Sequence, residues 1–368
     1  MPRKINLAIV AAGLGIGGAE VVIQRLAETI DRTRFNLTIV CLKVRGAIGE
    51  ELARNGVEVV VLSSGKGTDY FTTFKLLRFI RQRRIDVVHT HTTDALIEAA
   101  FCRFIYRRFK LIHTFHFGNY PRAPGKHARF ERIGSRAADH LIAVGNVQRD
   151  QLKQAYGFRD EVIGRIWNGV NFRARDDGRA FRASLGVSED TVLIGTLATL
   201  IEQKGLFDLL AVARELKDGG AQVRFVIVGE GKLRPALEQR RRELDLDDTV
   251  ILAGWVNDAA AVALPAFDVF FQPSLWEAMS IALLEAMSAG KPPVTTRVGE
   301  APYMVAHGDD GLLVDPKDTA GMARELRRLV DDAELRRRLG VAAADKVARQ
   351  FTVEHMTRAY EQVYSGNG

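Results

Sequence analysis

Residues 273–298 read Pro-Ser-Leu-Trp-Glu-Ala-Met-Ser-Ile-Ala-Leu-Leu-Glu-Ala-Met-Ser-Ala-Gly-Lys-Pro-Pro-Val-Thr-Thr-Arg-Val, and the fold turns on how this stretch divides. Ahead of it, Val269-Phe270-Phe271-Gln272 is a short apolar run of the kind that makes a buried strand, and Pro293-Val294-Thr295-Thr296 makes another. Between them the spacing predicts one helix, starting at Ser280 or just before. Ile281, Leu284, Met287 and Ala289 form its apolar face, and Gly290 followed by Lys-Pro-Pro stops it. Glu285 is thereby set in a helix that is otherwise small and apolar, while Glu277 stands eight residues earlier in the loop leading in. A carboxylate among alanines, leucines and methionines is costly unless something binds it. It either caps or salt-bridges a neighbouring element or holds a ligand.

Open parallel sheets bind ligands beyond the carboxyl ends of their strands, where helix N-termini offer unpaired N–H groups to phosphate. Glu277, the backbone of Ala278, Met279 and Ser280, and Glu285 would line such a site. The stretch resembles the donor-binding signature of the retaining GT-B glycosyltransferases, glycosyl transferase group 1 or family 4, in which two glutamates separated by seven residues bind a sugar nucleotide. Pro-Ser-Leu-Trp before the first glutamate and Glu-Ala-Met-Ser-Ala-Gly make the match more specific than the spacing alone. The resemblance implies that Glu277 faces the transferred sugar and that Glu285 holds the ribose hydroxyls.

At 368 residues the chain suits two domains of about 150–200 residues each. Its only cysteines, Cys41 and Cys102, are far apart, which indicates neither a disulfide framework nor a zinc site and fits a reducing cytoplasm. Arg3 and Lys4 precede an apolar run, but that run is short and passes into a glycine loop, so it reads as a first strand rather than a signal peptide. No stretch approaches the ~18 consecutive apolar residues of a membrane span. Charge is uneven: residues 1–172 hold 27 Lys and Arg against 15 Asp and Glu, and residues 71–136 hold 14 against 4. A basic face on one domain implies an anionic partner.

Strands are expected at 5–11, 36–42, 57–62, 87–91, 111–115, 138–144 and 163–167. Helices alternate with them, among them 70–83, with Phe71, Phe74, Leu77 and Ile80 inward, and 94–109. Such alternation predicts an α/β fold with a doubly wound parallel sheet. A polar connector is expected over 173–184, and a second sheet begins at Val192, with strands at 192–197, 222–229, 250–253 and 311–314. The domains are therefore drawn as 1–172 and 173–352. By the resemblance, a last helix, about 353–368, crosses back to the first.

Gly13, Gly15 and Gly18 satisfy the Gly-x-Gly-x-x-Gly dinucleotide fingerprint, but Lys43 ends the second strand where an acid should hold a ribose. The same loop resembles the family's Gly-Gly-Ala-Glu loop, which implies that Gly17 and Gly18 approach the donor phosphates. Lys204-Gly205 matches the lysine that neutralises the donor diphosphate. Thr199 stands where many members have an arginine, a loss of charge and of a bidentate grip on phosphate. Trp255 falls in the loop that approaches the base in the family. Asn168-Gly169-Val170-Asn171 resembles the Asn-Gly-Val-Asp that closes the first domain. Four histidines, His89, His91, His113 and His116, cluster at strand ends without the spacing or acidic company of a metal site. Thr114-Phe115-His116 resembles the family's strand-end histidine beside the reacting sugar, whereas His89 and His113 read better as structural hydrogen-bonding groups. Asp245 and Asp247 have the spacing of a metal-binding pair but fall on expected surface, and no metal is assigned.

The resemblance implies two Rossmann-like domains facing across a cleft, the donor bound mainly by the second and the acceptor by the first. The reaction would move a sugar from a nucleotide-diphosphate sugar to a hydroxyl with retained configuration, through Glu277, His116 and Lys204, without cofactor or metal. A glycan or lipid-linked acceptor, such as a lipopolysaccharide or polysaccharide precursor, is expected. Two rivals are a dinucleotide-dependent oxidoreductase, which leaves Lys204, Glu277 and Glu285 unexplained, and a non-catalytic subunit of the same fold, which would account for Thr199. Residues 96–110 interleave Arg103, Arg107, Arg108 and Lys110 with Phe101, Phe104, Ile105, Tyr106 and Phe109. Either these aromatics pack inward, or the helix joins Tyr120, Arg122, Lys126 and the basic residues of 71–84 in peripheral contact with the inner face of the cytoplasmic membrane. Nucleic acid is the weaker partner, because no recognition motif is present.

Overall fold

A computed structural model of the protein describes residues 3–15, 17–63, 71–120 and 125–366. The chain forms two compact units, Met1–Gly169 with Val353–Gly368, and Val170–Thr352.

In the first unit the strands are β1 (Ile5–Gly13), β2 (Phe35–Val44), β3 (Glu58–Val61), β4 (Val87–Thr90), β5 (Lys110–Phe115), β6 (His140–Ala143) and β7 (Ile163–Arg165). Between them run α1 (Gly18–Thr29), α2 (Gly46–Arg54), α3 (Thr72–Gln82), α4 (Thr93–Ile105), α5 (Lys126–Ser135) and α6 (Asn146–Tyr156). All pairings are parallel, in the order β3-β2-β1-β4-β5-β6-β7. A parallel sheet covered on both faces needs continuous apolar strands, and Leu7 to Ala11 of β1 are fully buried.

The second unit repeats the plan, with α7 (Arg179–Ser184), β8 (Val192–Leu197), α8 (Leu206–Asp218), β9 (Val223–Val228), α9 (Arg234–Glu243), β10 (Val250–Gly254), α10 (Ala259–Ala263), β11 (Val269–Gln272) and α11 (Ile281–Ser288). There follow β12 (Pro293–Thr296), α12 (Ala301–Met304), β13 (Leu312–Val314), α13 (Thr319–Asp331) and α14 (Ala333–Gln350). Its sheet order is β10-β9-β8-β11-β12-β13. Order reverses between β1 and β4 in one sheet and between β8 and β11 in the other, which are the switch points where such sheets bind ligands. The last helix, α15 (Val353–Ser365), belongs to the first unit. It buries Met356, Tyr360 and Tyr364, and its Glu361 accepts from the Asp31 backbone N–H at 2.8 Å and pairs with Arg34 at 3.2 Å.

Three expectations need correction. Leu77 and Ile80 face inward as expected, but Phe71 and Phe74 face outward, 68% and 61% exposed, because α3 begins at Thr72 and completes its buried face with Leu76 and Phe79. Tyr70 lies outside the described residues. Second, α4 stops at Ile105 and does not reach Phe109. Arg103 donates to the carbonyls of Arg107 and Phe109 and to Asp139 at 2.8 Å, pinning a turn where the longer helix was expected. Third, residues 173–184 are no free connector. They include α7, whose Arg182 donates to Asp268 Oδ2 and the Ala266 carbonyl, both at 3.0 Å, inside the second unit.

The core of the first unit is unusual in holding imidazoles. His89, His91 and His113 are at most 3% exposed. Burial, with the neighbouring histidines adding to it, holds His89 and His91 well below the usual histidine pKa. An unfolded imidazole takes its proton near pH 6.5, so below that pH the unfolded chain binds more protons than the folded one and stability falls, by about 1.4 kcal/mol per pH unit for each extra proton. The stabilisation is complete above that pH. The expected result in urea titrations is a midpoint for the first unit that drops as pH is lowered from 7 to 5. A midpoint flat over that range would mean that the folded protein already carries these protons.

Candidate active site

In the second unit, the loops after β8 and β11 meet at the switch point. Lys204 follows β8 in a single 3-10 turn, Glu202–Lys204, and Glu277 follows β11 in the loop before α11. Lys204 Nζ lies 2.5 Å from Glu277 Oε1. The carboxylate also accepts from Ser274 Oγ at 2.8 Å and from Gln203 Nε2 at 3.2 Å, and the Leu275 N–H donates to the Gln203 carbonyl at 2.7 Å. Glu277 is 8% exposed, so a charge that would be costly alone has a counter-ion and two further donors.

Backbone conformation allows this approach at two glycines. Gly205 has φ +61°, and a Cβ there would stand 2.0 Å from the Pro273 carbonyl oxygen. Gly299, φ +53°, packs so closely on the segment holding Glu277 that a Cβ would meet its carbonyl oxygen at 2.3 Å. The Glu300 N–H then donates to the Ala278 carbonyl at 2.9 Å. Only glycine adopts this conformation without strain, so the loop after β12 is laid directly on the Glu277 segment.

Ser280 caps α11, its hydroxyl accepting from the Leu283 N–H at 3.2 Å and donating to Gln272 Oε1 at 2.6 Å. Ala278 and Met279 are buried beside it, and Glu285 lies farther along α11, partly buried between Leu284 and Ala286. Thr199 is exposed after β8, and Trp255, 52% exposed, follows β10. The structure thus joins Lys204 to Glu277 directly and sets Ala278 to Ser280 next to them in the chain. Nothing in the sequence singled out Ser274, Gln203 or Gln272, because their roles come from contacts between separate loops. Asp245 and Asp247 are committed elsewhere, Asp245 to Lys217 at 3.2 Å and Asp247 to Arg241 at 2.7 Å.

In the first unit, Gly17 precedes α1 and Gly18 is its first residue. The β1–α1 loop and the end of β5 open on a cavity of about 420 Å³, lined by Ala12, Ala19, Asp94, His116, Tyr120 and Glu131 among others. His116 is partly buried, and desolvation lowers its pKa to about 4, so its ring is neutral at physiological pH. Its Nε2 lies 2.9 Å from His91 Nδ1. Glu131, which the sequence did not mark, is 2% exposed and accepts from Thr93 Oγ1 at 2.7 Å and from the hydroxyls of Tyr156 and Tyr120 at 2.9 and 3.1 Å. Arg122 and the Lys126 side chain lie outside the described residues.

Comparison with known proteins places the chain in a family. The family model described as Glycosyltransferase Family 4 matches residues 16–173, and the one described as Glycosyl transferases group 1 matches residues 177–346. The lipopolysaccharide core biosynthesis glycosyltransferase LpsD of Rhizobium meliloti (strain 1021) is 27% identical over 80% of this chain and 82% of its own length. The UDP-Gal:alpha-D-GlcNAc-diphosphoundecaprenol alpha-1,3-galactosyltransferase of Escherichia coli is 24% identical over 90% of this chain and 89% of its own. Among solved structures, Anabaena Alr3699/HepE in complex with UDP-glucose superposes with a TM-score of 0.85 over 99% of this chain and 100% of that one, at 22% identity, a likeness of fold. Matched in order along both units, the chain belongs to the GT-B glycosyltransferases of group 1 and family 4.

Proposed function

We propose that the protein transfers a sugar, with retention at the anomeric carbon and without a metal ion, from a nucleotide-diphosphate sugar to a hydroxyl of a lipid-linked glycan, lipopolysaccharide or polysaccharide precursor. The observation that carries this reading is the Lys204–Glu277 pair at the β8/β11 switch point, with Glu285 following on α11. Relatives that act in lipopolysaccharide core biosynthesis and on a diphosphoundecaprenol-linked sugar support the acceptor class, and the UDP-glucose complex of a protein of the same fold supports the donor class.

Lysine presents three N–H donors, so Lys204 can keep its bond to Glu277 while meeting a diphosphate oxygen. Its charge then offsets the negative charge that grows on the leaving diphosphate, together with the amides of Ala278 to Ser280 ahead of α11. In this reading Glu277 is held by Lys204, Ser274 and Gln203 at the transferred sugar, Glu285 accepts from the ribose hydroxyls, and Gly17 and Gly18 approach the diphosphate. Trp255 and Thr199 lie towards the base and the phosphates. Neutral His116 serves as a hydrogen-bonding partner of the sugar rather than as a charged group.

The acceptor reading is supported by an apolar and basic surface on the first unit. Phe104 is 87% exposed, and Phe71, Phe74, Phe101, Phe130 and Ile133 are each about half exposed or more. Phe71 is the N-cap residue of α3 and the others lie on α3, α4 and α5, which pack side by side; exposed Lys75, Arg78, Arg129 and Arg132 lie on the same helices, and Arg107 just beyond α4. Aromatic rings beside basic side chains suit the headgroup region of an anionic bilayer, where each basic residue contributes about 1 kcal/mol. Among the described residues no helix is long and apolar enough to cross a membrane.

Glu285→Ala is expected to weaken binding of a UDP-sugar by about 1.5–3 kcal/mol, roughly ten- to hundredfold in Kd by calorimetry. Lys204→Ala should lower both affinity and turnover and also the melting temperature, since it strands a buried carboxylate. Glu277→Gln should reduce kcat more than affinity. Wild-type affinity and rate in all three would remove the assignment. Turnover should survive chelation by EDTA, and NMR of the product should show the anomeric configuration of the donor. In co-sedimentation, anionic vesicles should capture the protein at low salt and Phe104→Asp should release it. No capture at low salt would point to a water-soluble acceptor.

A further inference from the structure

The sequence His-Thr-His at 89–91 and Thr-Phe-His at 114–116 puts His89 and His91, and likewise Thr114 and His116, at alternate positions of neighbouring strands, so that each pair points to one side of the sheet. The side chains form a continuous series. His116 Nε2 is 2.9 Å from His91 Nδ1, and His91 Nε2 is 3.2 Å from His89 Nδ1. His89 Nδ1 is also 2.7 Å from the Tyr364 hydroxyl, and His89 Nε2 is 2.8 Å from Thr114 Oγ1, which in turn lies 3.2 Å from the Tyr360 hydroxyl. Both tyrosines belong to α15.

Burial keeps all three imidazoles neutral, so each ring has one N–H and one lone pair. Such a series can be polarised in only two ways, and its far end decides which. The Tyr364 hydroxyl is buried and, among the described residues, meets no other hydrogen-bond partner, so its hydrogen goes to His89 Nδ1, 2.7 Å away. His89 then donates from Nε2 to Thr114. A lone pair on His91 Nε2 would face the lone pair on His89 Nδ1, so His91 carries its proton on Nε2 and shares that acceptor in the longer 3.2 Å contact. That leaves His91 Nδ1 to accept from His116 Nε2–H.

We infer that Tyr364, His89 and His91 are positioning residues that fix His116 as its Nε2–H tautomer, leaving Nδ1 with the lone pair that accepts a hydroxyl hydrogen from the sugar. The inference rests on the transfer reaction proposed above only for what His116 does. The chain itself stands on the distances. It also makes the C-terminal helix, remote in sequence, part of what tunes the cavity.

The test is long-range 1H–15N NMR on the full-length protein labelled with 15N-histidine at pH 7, with His116 assigned by loss of its signals in His116→Gln. The expected wild-type result is one N–H-type Nε2 and one lone-pair-type Nδ1. Tyr364→Phe, which removes only the hydroxyl, and His91→Leu should move both signals towards the average of two tautomers. Each should also lower kcat about three- to tenfold, with donor KM unchanged. His91→Asn, whose side-chain oxygen can replace Nδ1 as acceptor, should restore both tautomer and rate. A wild-type proton on Nδ1, or signals indifferent to both variants, overturns the chain. If the signals shift as expected while His116→Gln transfers sugar normally, the chain stands and the role given to His116 in transfer falls.

Discussion

A buried carboxylate that must not be left alone organises the second unit. Glu277 is nearly sealed from solvent, and removing one partner from a buried ion pair costs about 3–5 kcal/mol, so the loops that bring Lys204, Ser274 and Gln203 to it are constrained together. Gly205 and Gly299 follow from that constraint. Each lies where a side chain would collide with the backbone of the segment running through Pro273 and Glu277. The result is a patch of opposite charges fixed by close backbone contacts at a sheet switch point.

The first unit solves the same problem of buried polar groups, here beneath a cavity, without net charge. Three imidazoles, two tyrosines and a threonine satisfy one another in a hydrogen-bonded series. Because no member is ionised, burial costs far less than it would for a carboxylate, and direction replaces charge as the property transmitted. The buried polar groups are thus compensated by a charged pair in one unit and by a neutral hydrogen-bonded series in the other. The tyrosines reach the series only because α15 returns to the first unit after the whole second unit has been built.

The exposed aromatics of α3, α4 and α5 show how phase decides meaning. A helix carrying phenylalanines at Phe71 and Phe74 was expected to bury them, on the general tendency of large apolar side chains to face the core. Leu76 and Phe79 join Leu77 and Ile80 on that face instead, and the two rings lie outward. On α4, Ala95, Leu96, Ala99 and Cys102 make the buried stripe, which leaves Phe101 and Phe104 outside. Small residues could pack inward because α3 and α5 close tightly on α4, with Gly134 against Leu96 and Ala100.

By itself the sequence determined the alternation of strands and helices, the parallel sheets that follow from it, and the stretch that holds Glu277 and Glu285. These are local properties: apolar runs of strand length, capping and stop residues, and a fixed spacing along one loop and helix. It also marked Lys204 and His116, though through resemblance rather than through any signal in their own neighbourhoods. Tertiary structure alone decided that Lys204 and Glu277 touch, that Ser274 and Gln203 complete the pair, and that Glu131 lies under a cavity with Tyr120 and Tyr156. It decided too that the polar connector over 173–184 forms α7 and is tied down through Arg182. Those facts depend on contacts across tens to hundreds of positions, such as the separation of 73 positions from Lys204 to Glu277 or of 275 from His89 to Tyr364, and no periodicity along the chain encodes which distant polar groups will meet.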